Sequence, residues 1–227
     1  MATKKTPVAW TFSELLALYA DFLIVSVHTI LHERNVYPRE SFSLARKYNY
    51  PVRQSRHPQV CDWIRKSISA CMEYLKKGDV AKISVVILSL SNVPLERFVF
   101  DVTSFPKVPI RDHDLEIENL ILSTEDIEEQ FRTCVMKLNY VSSTLGKLPD
   151  DCSFTITIEL TEDATAPVEH DSPWVPADDQ PIGSNEQSSS NRVGIPPKIK
   201  PLRNVLMGPL SFDIWIEESK AKEKLTQ

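Results

Sequence analysis

The stretch VAKISVVILSLSNVPLERFVFDVT, residues 80–103, holds two apolar, β-branched runs, Val80 to Leu90 and Leu95 to Thr103. The turn-forming Ser91-Asn92-Val93-Pro94 separates them, so the stretch predicts a β-hairpin. Outward from it the pattern changes period. Towards the N-terminus, Val60, Ile64, Ile68, Cys71, Met72 and Leu75 recur at helical spacing. Pro58 suits the first turn of that helix, and Lys76-Lys77-Gly78 suits its end. Towards the C-terminus, Ser123 and Asp126 are spaced to cap a helix whose apolar positions run through Ile127, Phe131, Cys134, Leu138, Val141 and Leu145, before Gly146 and Pro149 stop it.

The first helix is the most apolar. Thr11 and Glu14 have the spacing of a capping box, and the apolar residues from Leu15 to Leu31 nearly surround the axis, which predicts a central, sheathed helix. Tyr37, held extended by Pro38, is expected to end it. Asp21, His28, His32, Glu33 and Arg34 interrupt the run, so a buried core helix is expected rather than a membrane span. Residues 39–56 show no clear period and read as a loop with at most short strands. Ser153 to Leu160 alternates strictly, with Phe154, Ile156, Ile158 and Leu160 expected inward. From Thr161 to Lys200 proline, serine, asparagine and acids predict a mobile segment, loosest at Ser188-Ser189-Ser190. Order is expected to return at Pro201 and to end in a strand from Leu210 to Glu217.

Composition narrows the function. With 227 residues, 42% apolar and 25% charged, the chain suits one domain, or one domain with a tail. A net charge of −5 argues against direct nucleic-acid binding, which draws on neutralised phosphates. The four cysteines form no C-x-x-C pair and no cleavable leader is evident, which reads as reduced thiols in an intracellular protein. His28 and His32 share a helix face, but the order His-Thr-Ile-Leu-His-Glu is not H-E-x-x-H, so no metal site is expected. Five glycines leave no phosphate-cradling loop, no G-x-S-x-G elbow appears, and no cofactor is expected. The acidic run Glu125-Asp126-Ile127-Glu128-Glu129 reads as a helix start opposing the dipole rather than as paired catalytic carboxylates.

Three tryptophans do not fit the core. At about 100° per residue, Trp63 falls about 120° from the centre of its helix's apolar stripe, near the edge of the buried face. Trp174 sits in Ser172-Pro173-Trp174-Val175-Pro176, where no helix or regular sheet anchors it, and Trp215 takes the outward phase of the last strand beside Asp213 and Glu217. Two readings stand: binding hot spots, or burial by the mobile segment folding back.

A family resemblance covers nearly the whole chain in order. It rests on Val27-His28-Thr29-Ile30-Leu31 with Val36-Tyr37-Pro38, Lys47-Tyr48-Asn49 with Pro51-Val52, His57-Pro58, residues 82–88, and Arg97-Phe98-Val99-Phe100. Cys152-Ser153-Phe154-Thr155, Pro173-Trp174 with Ala177-Asp178, and Ile216-Glu217-Glu218 continue it. These strings resemble the HORMA-domain family, and within it the accessory subunits of DNA polymerase zeta. The resemblance implies an α+β fold, three helices packed on a mainly antiparallel sheet, in a single domain. Its core would span residues 1–160, a C-terminal safety belt 161–218 with an insertion at 180–193, and a tail 219–227. It also implies a non-catalytic adaptor in translesion DNA synthesis, whose belt closes around a proline-containing peptide of the polymerase's catalytic subunit. Tyr37, Trp63 and Trp174 fall at that peptide pocket. Ile199, Asp213 and Trp215 fall on a second surface, for a deoxycytidyl-transferase-type translesion polymerase scaffold, where Asp213 replaces an amide and Trp215 a tyrosine. Arg132 matches a position used in HORMA pairing, implying a homodimer contact, and the implied location is the nucleus, with the cytoplasm as a second. The same fold also serves spindle-checkpoint and meiotic signalling, the main alternative, with a cysteine or zinc enzyme a remote one.

Overall fold

The computed structural model describes residues 9–164 and 196–222. The first helix, α1 (Phe12–Glu33), starts on the expected capping box: Thr11 accepts the Glu14 amide, and the Glu14 carboxylate accepts the Thr11 amide at 2.9 Å. Its length and composition would suit a membrane span, yet 67% of its most apolar window is buried inside the fold. Phe22 stacks on Phe131 at 4.6 Å, and Tyr19 meets Phe105 and Phe212 edge-on, each at 5.1 Å. The helix stops earlier than Tyr37. Val36 donates to the Leu31 carbonyl at 3.0 Å and Asn35 to that of His32 at 3.2 Å, with Asn35 at φ 52°. That is a Schellman stop built on asparagine, which tolerates the left-handed region.

Residues 39–56, expected to be mostly loop, form a regular hairpin of β1 (Phe42–Lys47) and β2 (Tyr50–Ser55), paired from Phe42↔Ser55 to Lys47↔Tyr50. Its two-residue turn has Tyr48 at φ 53° and Asn49 at φ 52°, the type I′ arrangement that matches strand twist. Without glycine in the turn, the sequence hid the hairpin. Helix α2 (Pro58–Lys76) then packs its Ile64, Ile68, Cys71 and Leu75 stripe inward, and Gly78 turns the chain at φ 76°.

The hairpin expected at 80–103 is present as β3 (Val80–Leu88) and β4 (Pro94–Asp101). Helix α3 (Thr124–Asn139) carries the expected Ser123–Asp126 capping box but ends before Val141 and Leu145, which are buried from the loop that follows. Three further strands, β5 (Ser153–Leu160), β6 (Lys198–Val205) and β7 (Phe212–Glu218), complete a five-stranded antiparallel sheet in the order β5-β3-β4-β7-β6. The fold is α+β, with three helices over this sheet and the small hairpin against α1.

Strand β6 begins inside the stretch expected to be mobile through Lys200. It contains Pro201, which the outermost strand tolerates with a register shift between Pro201 and Arg203. The expected mobile stretch, with Ser188 to Ser190 and the 180–193 insertion, otherwise lies largely outside the described residues.

One end of the sheet holds a buried ion cluster. The Glu96 carboxylate, fully buried, accepts Arg34 Nε at 2.8 Å and Arg34 Nη2 at 2.7 Å, and also Lys222 Nζ. Lys222 Nζ also donates to Glu218 Oε1 at 2.7 Å, and Lys200 Nζ donates to Glu218 Oε2 at 2.7 Å. The Gly146 amide gives Glu218 a further hydrogen bond of 2.9 Å. The cluster thereby ties the end of α1, β4 and the loop after α3 to β6, β7 and the C-terminal residues.

Burial pushes the Glu218 carboxyl up, but the bonds from Lys200, Lys222 and Gly146 outweigh it and bring the pKa down to about 2 from 4.5. A depressed carboxyl stabilises the fold above its unfolded pKa and loses that contribution as pH falls through its folded pKa. Glu218→Gln is therefore expected to lower unfolding free energy at pH 7, with the difference from wild type shrinking as pH drops from about 4.5 towards 2. Urea unfolding across that range checks it; a difference independent of pH would contradict the assignment.

Candidate functional site

Strand β5 pairs with β3 on one side, and among the described residues its other edge has no partner. An unpaired edge presents a row of backbone donors and acceptors, a template for an added strand. By register Phe154 lies opposite Ile87, on the face that carries Ile156, but at the edge it is only half-buried. Of the four β5 residues expected to be buried, only Ile156 is, because an edge strand has no neighbour to cover its other flank.

Two aromatic side chains from other elements meet Phe154. Trp63, on α2, approaches edge-on with ring centroids 5.0 Å apart and planes at 82°. Tyr37, just past the α1 stop, does so at 6.2 Å and 86°. Trp63 keeps 41% of its surface exposed, consistent with its place beside the α2 stripe. Tyr37 is half-buried, and burial raises its phenol pKa. The aromatic surface that stays exposed at such a corner is of the kind that holds proline rings and apolar side chains. Tyr37 and Trp63, picked out in the sequence, thus come together, while Trp174 lies outside the described residues. Phe154 was missed because alternation alone assigned it to the core.

Connectivity adds to this geometry. The chain leaves β5 at one edge of the sheet and re-enters at β6, the opposite edge.

A second surface lies on β6 and β7. Ile199 pairs opposite Glu217, Pro201 opposite Trp215, and Asn204 opposite Asp213, and directly opposed residues share a face. Ile199, Asp213 and Trp215 therefore stand on one face, away from the buried Ile214 and Ile216. Ile199 is 60% exposed. Trp215 is half-buried and its indole N–H donates to Glu217 at 3.0 Å; the Asn204 amide donates to Asp213 at 2.7 Å. Arg132 lies half-buried on α3, with the exposed Met136 and Tyr140 following at helical spacing.

The residues weighed for chemistry are engaged elsewhere. The Ser55 amide donates to His28 Nδ1 at 3.4 Å; burial, with Arg65 adding to it, lowers the His28 pKa to about 4. His32 Nδ1 instead contacts the Glu33 carboxylate at 2.8 Å. Burial lifts the Cys71 and Cys134 thiols to about 12, far from the thiolate a nucleophile requires. Among the described residues no three His, Cys, Asp or Glu side chains gather as a metal site.

Comparison with known proteins identifies the family. The fission yeast (Schizosaccharomyces pombe) DNA polymerase zeta processivity subunit is 28% identical over 92% of this chain and 95% of its own length. The bovine (Bos taurus) mitotic spindle assembly checkpoint protein MAD2B is 31% identical over 93% of this chain and 94% of its own. Among solved structures, a chain of the mitotic checkpoint complex superposes with a TM-score of 0.68 at 22% identity, covering 90% of this chain and 98% of that one. Caenorhabditis elegans HTP-1 bound to the HIM-3 closure motif superposes at 0.62 with 13% identity, covering 96% and 98%. The HORMA domain model matches residues 16–199, so the chain belongs to the HORMA domain family.

Proposed function

We propose that this chain is a non-catalytic adaptor that holds an extended peptide along the free edge of β5, with the peptide's proline and apolar side chains against Tyr37, Trp63 and Phe154. The observation that carries the reading is that aromatic corner beside an unpaired strand edge. Backbone pairing supplies affinity in such strand addition, and side-chain pockets supply specificity. The C-terminal segment acts as a safety belt, running from β5 to the far edge of the sheet and crossing the bound peptide, with Trp174 as its latch.

The peptide belongs to the catalytic subunit of DNA polymerase zeta, and the protein works in translesion synthesis in the nucleus. The length-wide similarity to a polymerase zeta processivity subunit supports that choice. The Ile199, Asp213 and Trp215 face takes the second partner, a scaffold polymerase of the deoxycytidyl-transferase type, and the α3 face around Arg132 pairs with another HORMA domain. Contact with DNA runs through these partners. A second reading keeps the site and changes the partner: the similarity to MAD2B favours checkpoint signalling.

Affinity purification of the full chain from its own cells, with crosslinking to map the bound segment, separates the two. Recovery of the polymerase's catalytic subunit, crosslinked near Trp63, is expected. Recovery of checkpoint or chromosome-axis proteins without a polymerase subunit would reverse the ranking.

A further inference from the structure

Five lysines converge on one cavity of a chain whose net charge is −5. The cavity, about 310 Å³, lies between the loop after α3 and the β6–β7 hairpin, and Lys147, Lys198, Lys200, Lys220 and Lys222 line it with Glu218 as the one acid. Lys200 and Lys222 are held by Glu218 and Glu96. Lys147, Lys198 and Lys220 are exposed, and none has an ion-pair partner among the described residues. Glu218 offers no repulsion that the cavity has not already met, since two ammoniums and the Gly146 amide surround its carboxylate. Unpaired like charges in one concavity repel unless an anion joins them.

We infer that this cavity binds a phosphate monoester carried on a phosphorylated residue of a partner protein. A phosphorylated side chain brings about −1.5 to −2 charges and three acceptor oxygens, matching three unpaired ammoniums where one carboxylate would leave an excess. Lysine binds phosphate as a point charge and needs no bidentate fork. A nucleic-acid strand would call for a basic stripe along a row of phosphates, whereas these lysines close on a single cavity. The site is separate from the aromatic corner. Both lie towards the same end of the sheet, but Phe154 on β5 and Lys198 on β6 are four strand spacings apart, about 19 Å. Peptide capture at β5 and phosphate capture here can therefore be tested independently.

The test titrates the isotope-labelled full chain, followed by NMR at fixed ionic strength, with four probes: a capped Gly-phosphoserine-Gly peptide, its unphosphorylated form, inorganic phosphate and an oligodeoxythymidylate. The phosphopeptide is expected to saturate shifts of the amides around Gly146, Lys198 and Lys220 and to bind more tightly than inorganic phosphate, while the unphosphorylated peptide leaves them in place. The combined Lys147→Gln, Lys198→Gln and Lys220→Gln variant is expected to keep its unfolding midpoint and to bind the phosphopeptide at least about tenfold more weakly, since one lost charge-assisted hydrogen bond suffices for that. The inference is overturned by a phosphopeptide titration that does not saturate, or by undiminished binding to the triple variant. Inorganic phosphate binding as tightly as the phosphopeptide, or the oligonucleotide binding more tightly, would overturn the phosphorylated-partner assignment.

Discussion

Replacing Glu96 with alanine is expected to destabilise the folded chain by about 3–5 kcal/mol, the loss found when one member of a buried, hydrogen-bonded ion cluster is removed. The carboxylate has no exposed surface, and its partners Arg34 and Lys222 keep only 7% and 2% of theirs. Alanine would leave both cations buried without their shared anion, with Arg34 keeping the Gly146 carbonyl and Lys222 keeping Glu218. The effect is not confined to one strand. Lys222 also binds Glu218, and Glu218 binds Lys200 and Gly146, so the change should loosen the attachment of the β6–β7 hairpin to the core. Urea unfolding measures the total. Hydrogen exchange should show added exposure concentrated in β6 and β7, and a loss below about 1 kcal/mol, the range of exposed pairs, would show that the cluster is not the tie described.

Trp63→Ala is expected to weaken capture of the partner peptide by at least about 2 kcal/mol, roughly 30-fold, the range of aromatic hot spots in desolvated pockets. With 41% of its surface already exposed, the side chain adds little to the core, so the unfolding midpoint should barely move. That separation makes Trp63 a cleaner probe than Phe154, whose removal also strips packing from the β5 edge. Trp215→Ala on the other surface serves as the control. It should leave affinity for the first peptide within about twofold, because distant sites with no shared partners are close to additive. Off-rates from surface-immobilised peptide give the comparison. Equal losses for Trp63→Ala and Trp215→Ala would mean that the two surfaces are one.

What the sequence made legible follows from where its signals are local. The capping boxes at Thr11 and Ser123 and the stripe on α2 depend on residues within a few positions of one another, and the structure has each of them. The β3–β4 hairpin was equally plain, since two long β-branched runs flank a short turn. The β1–β2 hairpin was hidden because Tyr48 and Asn49 make its turn without glycine, and α1 falls short of the expected end because Asn35, not Pro38, stops it. Strand β6 was hidden by its proline and by the polar segment before it.

The candidate site divides in the same way. Trp63 stood out through its helical phase, whereas Tyr37 entered only through the family resemblance. Phe154 did not stand out, because strand order makes β5 an edge and alternation carries no information about which strand is outermost. The lysines around Glu218 come from the α3 loop, β6 and the C-terminal residues, and only the fold brings them together.

Hydrogen–deuterium exchange of the full chain, with and without the peptide mapped in the purified complex, addresses the capture of a strand at β5 most directly. Strand addition should slow exchange of the alternate β5 amides from Ser153 to Leu160 that face the open edge, because those donors gain a partner. Protection confined to β6 and β7, with β5 exchanging as fast as in the free chain, would contradict it.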